Sequence, residues 1–332
     1  MGRLIRVSRD DLTLLRQRSG KGFCYRDASG ALVCDAPTKG RIVALGIPPA
    51  WREVRIAPKE RAHIQALGVD EAGRVQYIYH PEWEMRRDSK KQLRLGLLTA
   101  ALPRLRRKIA EGLAAETGSR DLALALAVAL IDRTAMRVGR EKYLETSGTR
   151  GAGTLFARDV TVAGTEVCMR FDAKGGKHAQ YCLDDAVLAD AVTRIKTLPG
   201  KRLLVYRDEA GKVRPIKTAS INSYLRELAG VEISAKDFRT LHASALAGEA
   251  LAKLDVGTSI AARRRQMAQV AREVAEVLRN TPAISRKSYI APCLFRLFDE
   301  AKLQALWNGG GNGRAGLYAR EKRLSAVLAA AG

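Results

Sequence analysis

The chain is short of acidic residues and of long apolar runs, and each shortage tells something. Asp and Glu number 35 against 58 Lys and Arg, leaving a formal net charge of +23. Such an excess says nothing about the fold, but it points to a polyanionic partner. Nucleic acid is the leading candidate and an anionic membrane surface the weaker one. No apolar stretch approaches the ~20 residues that a membrane-spanning helix needs. The opening MGRLIRVSRDDLTLLRQRSG lacks the apolar centre of a secretory leader. A lipidation motif starting at Gly2 fails at Arg6, where Ser or Thr belongs. A cytoplasmic protein with no membrane partner is therefore expected.

Metal-binding patterns are also missing. Cys24, Cys34, Cys168, Cys182 and Cys293 form no CxxC pair, and His63, His80, His178 and His242 are scattered. No zinc site is expected, and the thiols are read as reduced and structural. The acidic pairs Asp70-Glu71, Asp184-Asp185 and Asp208-Glu209 fall at expected turns and read as solvated turn residues. No Walker A motif occurs, so nothing points to ATP. Residues 311–316 match GxGxxG, but no strand precedes them. They read as a flexible joint before a last helix at Ala319 to Ala330.

What is present is enough for two domains: 332 residues, 46% of them apolar. Residues 1–90 look strand-rich. Gly22–Tyr25 and Ala31–Cys34 flank the turn Asp27-Ala28-Ser29-Gly30, and His63–Gly68 and Val75–Tyr79 flank Asp70-Glu71-Ala72-Gly73. Between them, Ile47–Trp51 is a rigid turn before a strand at Val54–Ala57. Tyr77 and Tyr79 share one face of their strand. Beside Arg74 and Gln76 they suit nucleic-acid contact or a core tyrosine pair, and the sequence leaves both open. The charged segment Glu84–Lys91 is read as a bridge and the domain boundary, with the helical domain at 91–332.

Within that domain, Pro103 is expected to open a helix, and Asp121 to Arg137 to form a buried helix ending in Arg137-Val138-Gly139-Arg140-Glu141-Lys142-Tyr143. An arginine there needs an anionic partner, and Asp132 is a structural candidate. A β-meander follows, from Val160 to Cys182, with Lys174 and Lys177 at a Gly175-Gly176 hairpin. A lysine on such a tip either reaches into a groove or merely solubilises a turn. Next come helices at Ala186–Leu198 and Ile221–Leu228, and a basic helix entry, Lys236-Asp237-Phe238-Arg239-Thr240-Leu241-His242.

Arg263-Arg264-Arg265 opens the helix that runs to Asn280, in which Val274, Val277 and Leu278 recur at helical spacing. Pro282 stops it. Beyond the stop stands Tyr289, behind Ser285-Arg286-Lys287-Ser288. A phenol is a weak nucleophile at neutral pH, and neighbouring cations favour its ionised form. Alone, this stretch fits a half-buried tyrosine on a basic surface better than a nucleophile.

In chain order the candidates are Arg137, Lys174, Arg239, Asn280 and Tyr289. Two guanidinium forks match two phosphate oxygens. A lysine suits protonation of a leaving alkoxide, and a tyrosine suits covalent attack at phosphorus. With no carboxylate cluster for two metals, the positive charge must come from side chains.

The order and the local sequences resemble the type IB DNA topoisomerases, in their small bacterial and poxvirus form. The resemblance is carried by Ile47–Trp51, Gln76–His80, Arg137-Val138-Gly139 with Tyr143, Lys236–Thr240 and Ser288-Tyr289. It implies an α+β protein: a β-rich N-terminal DNA-clamping domain and a mainly helical catalytic domain with a small antiparallel sheet. It further implies a nucleoid-associated monomer that relaxes double-stranded DNA with neither metal nor cofactor. In that picture Tyr289 attacks and becomes joined to the 3′ phosphate, Arg137 and Arg239 stabilise the phosphorane, and Lys174 protonates the 5′ oxygen. DNA contacts fall to Gln76, Tyr77, Tyr79, Arg140, Lys142, Tyr143 and Lys236. Asn280 departs from the family's usual histidine, and asparagine can donate a hydrogen bond but no proton. Tyrosine recombinases share this chemistry, but usually carry a histidine shortly before the second arginine and a helical N-terminal clamp. A noncatalytic basic packaging protein would need no nucleophile.

Overall fold

The computed structural model describes residues 3–309 and 318–331. The 311–316 glycine motif lies outside the described residues. The fold is α+β, and the chain divides into two compact units, Met1–Lys90 and Lys91–Gly332.

The first unit is built on five antiparallel strands, β1 (Leu14–Ser19), β2 (Gly22–Arg26), β3 (Arg52–Ile56), β4 (Ile64–Val69) and β5 (Val75–Tyr79), with helix α1 (Ala36–Ala44). Their order is β2-β1-β3-β4-β5. Leu14, Val54, Ile56 and Ala66 join Val33 and Ile42 in one apolar cluster. Leu12, Ala57, Ala62, Ile64 and Leu67 form another, against which Tyr77 and Tyr79 pack. The first hairpin differs from expectation. β2 pairs with β1 through a turn at Gly20, whose φ is +57°, whereas Ala31–Cys34 supplies only a bridge between Arg26 and Leu32. Asp70 closes the β4–β5 turn, accepting from Arg74 and from Gln76 Nε2 (2.8 Å). The Arg74 contact holds that carboxyl down at about 2.

Helix α2 (Pro81–Leu113) contains both the charged segment Glu84–Lys91 and Pro103. Neither the bridge nor the second helix start expected from the sequence exists. Charged residues are good helix formers when spaced to pair, as Glu82 and Arg86 are.

The second unit continues with α3 (Arg120–Thr134), α4 (Glu141–Ser147), strands β6 (Val160–Ala163), β7 (Glu166–Ala173) and β8 (Lys177–Asp184), and helix α5 (Ala186–Lys196). Strands β9 (Val205–Arg207) and β10 (Val213–Pro215) precede α6 (Thr218–Ala229), α7 (Ala235–Ala252) and α8 (Ile260–Leu278). Then come α9 (Pro282–Ile284), a π-helical turn (Ser285–Tyr289), α10 (Pro292–Asp299), α11 (Leu303–Gly309) and α12 (Ala319–Ala331). Every residue of α3 from Leu122 to Asp132 is buried, making it the central helix. Its carboxylate Asp132 pairs with Arg106 at 2.9 Å and Arg133 at 3.1 Å, so it does not serve Arg137. On α8, Val274 and Leu278 are buried, but Val277 is 61% exposed, at the flank of the buried stripe.

The sheet runs β6-β7-β8. Contrary to the expected free thiols, Cys168 and Cys182 form a disulfide. They are directly opposite in the β7–β8 register, with Cα atoms 4.1 Å apart. Close approach of facing side chains in antiparallel pairs is what brings the sulfurs together. Cys24, Cys34 and Cys293 are free.

Helix α7 packs on α11 and α12 because Gly248 leaves room for Trp307: a Cβ there would lie 2.2 Å from the indole. Trp307 is itself 1% exposed and cannot swing away. Gly248→Ala should therefore cost about 1–3 kcal/mol through overpacking, measured as a lower urea midpoint at unchanged m-value.

Candidate active site

A cavity of about 640 Å³ in the second unit is lined by Arg137, Lys174, Arg239 and Tyr289, together with Arg140, Tyr143 and Lys236. Its construction starts at two helix ends. α3 stops at Ala135, whose φ is +52°, and the chain leaves the helix toward Arg137. α8 stops at Arg279, φ +53°, and hands on to Asn280. The Arg239 guanidinium, 3% exposed, lies between them. Its Nη1 donates to Ala135 O at 2.5 Å and its Nη2 to Leu278 O at 2.8 Å. Carbonyls at helix C-termini carry partial negative charge, so they suit a buried cation. Each bonded carbonyl is two residues before a candidate side chain, Arg137 in one case and Asn280 in the other.

Those two side chains then meet: Arg137 Nη2 donates to Asn280 Oδ1. Asn280 Nδ2 and Arg239 Nε are buried without a hydrogen-bond partner among the described residues. Burial lowers the Arg137 pKa, neighbouring Arg239 lowers it further, and Tyr289 and Tyr181 oppose the shift.

The Arg137 backbone is clamped by a glycine turn. Ala152 N–H donates to Arg137 O at 2.9 Å and Gly153 N–H to Val138 O at 2.7 Å. A Cβ on Gly151 would lie 2.3 Å from Arg137 O and 2.6 Å from Gly139 N. Only glycine permits that backbone approach.

Tyr289 is half-buried at the end of the π-helical turn. Its ring lies 5.0 Å from the Arg239 guanidinium carbon and 5.8 Å from Lys236 Nζ. Its backbone is held from α7, where Ser244 Oγ donates to Tyr289 O at 3.2 Å and accepts from Ala291 N at 3.0 Å. Lys91 Nζ reaches Lys287 O and Ile290 O from α2. Lys174 sits at the β7–β8 turn with Gly175 and Gly176, which take φ of +81° and +69°.

The other residues singled out from the sequence distribute unevenly. Lys142 is exposed on α4 and does not line the cavity, whereas Arg140 and Tyr143 do. Gln76, Tyr77 and Tyr79 belong to the first unit. Gln76 is bonded to Asp70, and the tyrosines stack at 5.9 Å, with Arg9 over one and Arg87 over the other. The core-pair reading thus accounts for their inner faces. Several residues carried no sequence signal of their own: Ser147, Thr149, Arg150 and Asp172 in the cavity wall, and Ser244. A lone hydroxyl in the small-residue run Ala243-Ser244-Ala245 was the available sign. Among the described residues, Glu166, Cys168 and Cys182 form a cluster of metal-ligand types. Two of these are the disulfide sulfurs, and none lines the cavity.

The arrangement can do one kind of chemistry well. A phenol, a lysine and two arginines around one cavity suit nucleophilic substitution at an anionic tetrahedral centre, with charge stabilised by fixed donors.

Known proteins resemble this sequence. Residues 80–293 match the family described as eukaryotic DNA topoisomerase I, catalytic core, and residues 22–70 match bacterial DNA topoisomerase IB, N-terminal domain. DNA topoisomerase 1B of Acanthamoeba polyphaga mimivirus is 27% identical over 292 residues, spanning 86% of this chain and 87% of its own. The crystal structure of the XerH site-specific recombinase bound to difH substrate, a pre-cleavage complex, overlaps 59% of this chain and 51% of that one at 17% identity, with a TM-score of 0.34.

Arg239→Ala should unpair two buried helix-end carbonyls at about 1–3 kcal/mol each. A measured drop in unfolding temperature beyond that of Lys236→Ala is the expected result.

Proposed function

Because the chain belongs to the type IB DNA topoisomerase family, and so is an isomerase acting on DNA, we propose that Tyr289 is its nucleophile and that it relaxes supercoils without ATP or metal. The single observation that carries this reading is the seating of the Tyr289 ring against the Arg239 guanidinium, in the cavity that also holds Arg137 and Lys174.

The Tyr289 phenol gives its proton to solvent as its oxygen attacks the scissile phosphorus, a tyrosyl–phosphate bond forms at the 3′ side, and the bond to the 5′ oxygen breaks. The departing alkoxide takes a proton from Lys174 and leaves as a 5′ hydroxyl. The freed strand rotates, and attack by the 5′ hydroxyl restores the phosphodiester and the phenol. One phosphodiester is exchanged for another, so the cycle is nearly isoenergetic and calls for no nucleotide. Negative charge on the equatorial oxygens meets Arg137, Arg239 and the Asn280 amide. The unpartnered Nδ2 supports a donor role for Asn280, while its Oδ1 orients Arg137.

Double-stranded DNA is the partner, bound by one copy of the chain. Arg140, Lys142, Tyr143 and Lys236 contact it from the second unit, and Gln76, Tyr77 and Tyr79 from the first, which acts as the clamping domain. Binding is driven by phosphate contacts, consistent with the +23 charge.

Plasmid relaxation in EDTA without ATP tests the chemistry. Wild type should relax the plasmid and Tyr289→Phe should not. Arg137→Ala should slow cleavage on the order of 10²–10³-fold, as loss of a transition-state donor does. Asn280→Ala should slow relaxation too, and wild-type speed there would remove Asn280 from the mechanism. Recombination of paired sites would identify a recombinase instead, and relaxation that survives Tyr289→Phe would end the reading. Log affinity should fall linearly with log salt, and a flat response would contradict phosphate-driven binding.

A further inference from the structure

Arg279 occupies a backbone position that favours glycine. It closes α8 in the left-handed region, with φ +53° and ψ +47°. Its N–H donates to Glu276 O and that of Asn280 to Ala275 O, the paired bonds of a Schellman cap. A side chain at this position carries a conformational cost that glycine lacks, so what the side chain contacts is informative.

It contacts the sheet that carries Lys174. Arg279 Nη1 donates to His178 O at 2.6 Å and Nη2 to Gln180 O at 2.7 Å. Residues 178 and 180 alternate along β8, so their carbonyls point the same way. β8 ends the order β6-β7-β8, and its far side from β7 is an edge with open acceptors. The guanidinium fork spans two of them and lies 5.1 Å from the Tyr181 ring centroid. Four residues before His178, on the same hairpin, is Lys174. The next residue after Arg279 is Asn280, bonded to Arg137. One side chain therefore joins the segment holding the Asn280–Arg137 pair to the strand leading to the lysine.

We propose that Arg279 is a positioning residue that latches the β7–β8 hairpin to the end of α8 and so sets Lys174 at the leaving 5′ oxygen. This rests on the reading of Lys174 as the acid that protonates that oxygen. The latch acts through Lys174 and touches no reacting atom. Without it the hairpin keeps its strand pairing, and the disulfide keeps its base closed, but its turn is no longer held toward the α8 end. Misplacement of a catalytic group by about 1 Å can cost on the order of 10²-fold.

The test compares two suicide duplexes, one ordinary and one with sulfur replacing the bridging 5′ oxygen. When sulfur bridges, the P–S bond breaks and a thiolate departs that needs no proton. Arg279→Gly relieves the left-handed backbone, so its unfolding temperature should hold or rise. Its DNA affinity should match wild type, and its single-turnover cleavage of the ordinary duplex should fall on the order of 10–100-fold. On the sulfur duplex it should regain most of that rate, as Lys174→Ala should. Arg279→Lys, which keeps a single donor group, should fall between the two and serves as the folded variant should glycine lower stability. Rescue of Lys174→Ala but not of Arg279→Gly overturns the latch, as does undiminished cleavage by both Arg279 variants. Failure to rescue Lys174→Ala itself overturns the acid role, and the latch with it.

Discussion

A buried guanidinium between two helix ends is the constraint on which the rest of the site depends. Burying a cation is costly unless it is hydrogen-bonded and faces compensating charge. Arg239 meets that condition with backbone carbonyls at Ala135 and Leu278, and it uses no carboxylate. A carboxylate partner would neutralise the cation and repel a phosphate. Helix-end carbonyls accept from both terminal nitrogens, leaving Nε unpartnered, and keep the net positive charge in place. The same bonds tie together the ends of α3 and α8, from which Arg137 and Asn280 emerge. The Tyr289 ring lies 5.0 Å from the carbon of that group.

The surrounding scaffold serves this geometry from several directions. α3, buried throughout, brings Ala135 to the centre. α7 contributes Arg239 and, through Ser244, the backbone of the tyrosine segment. The Gly151 turn receives the Arg137 backbone at distances that exclude a Cβ. Asp132 is engaged by Arg106 and Arg133. Asp172, which lines the cavity, is paired with Arg150 and His178, and the lining sets Arg137, Arg140, Arg150, Lys174, Lys236 and Arg239 against it, leaving an excess of positive charge.

Much of this was legible in the sequence, for identifiable reasons. Period-two runs and turn residues marked the β4–β5 and β6–β7–β8 hairpins, and an alanine- and leucine-rich run marked α3. Arg137 stood out at the end of a buried helix, Lys174 at a glycine hairpin tip, Arg239 at a basic helix entry and Tyr289 among cations past a proline stop, and their order matched a family resemblance. What stayed hidden was decided by tertiary context. Nothing local distinguishes Glu84–Lys91 as helix interior from a charged linker, since the segment's place in α2 follows from what lies beyond it. The Cys168–Cys182 disulfide depends on strand register, which the spacing of the cysteines alone does not reveal. Val277 shares the helical spacing of its neighbours but faces solvent. Ser244 and Arg279 work through backbone carbonyls, and a carbonyl leaves no mark in a sequence.

The central claim is that the phenol of residue 289 attacks the phosphorus held against Arg239. It is tested most directly by trapping the covalent complex on a duplex whose short 5′ fragment diffuses away, digesting the protein and sequencing the peptide that retains DNA. The expected product is a peptide spanning Ser285–Tyr289, joined through the Tyr289 oxygen to a 3′ phosphate. DNA attached to any other residue, or attached through its 5′ end, would contradict the account.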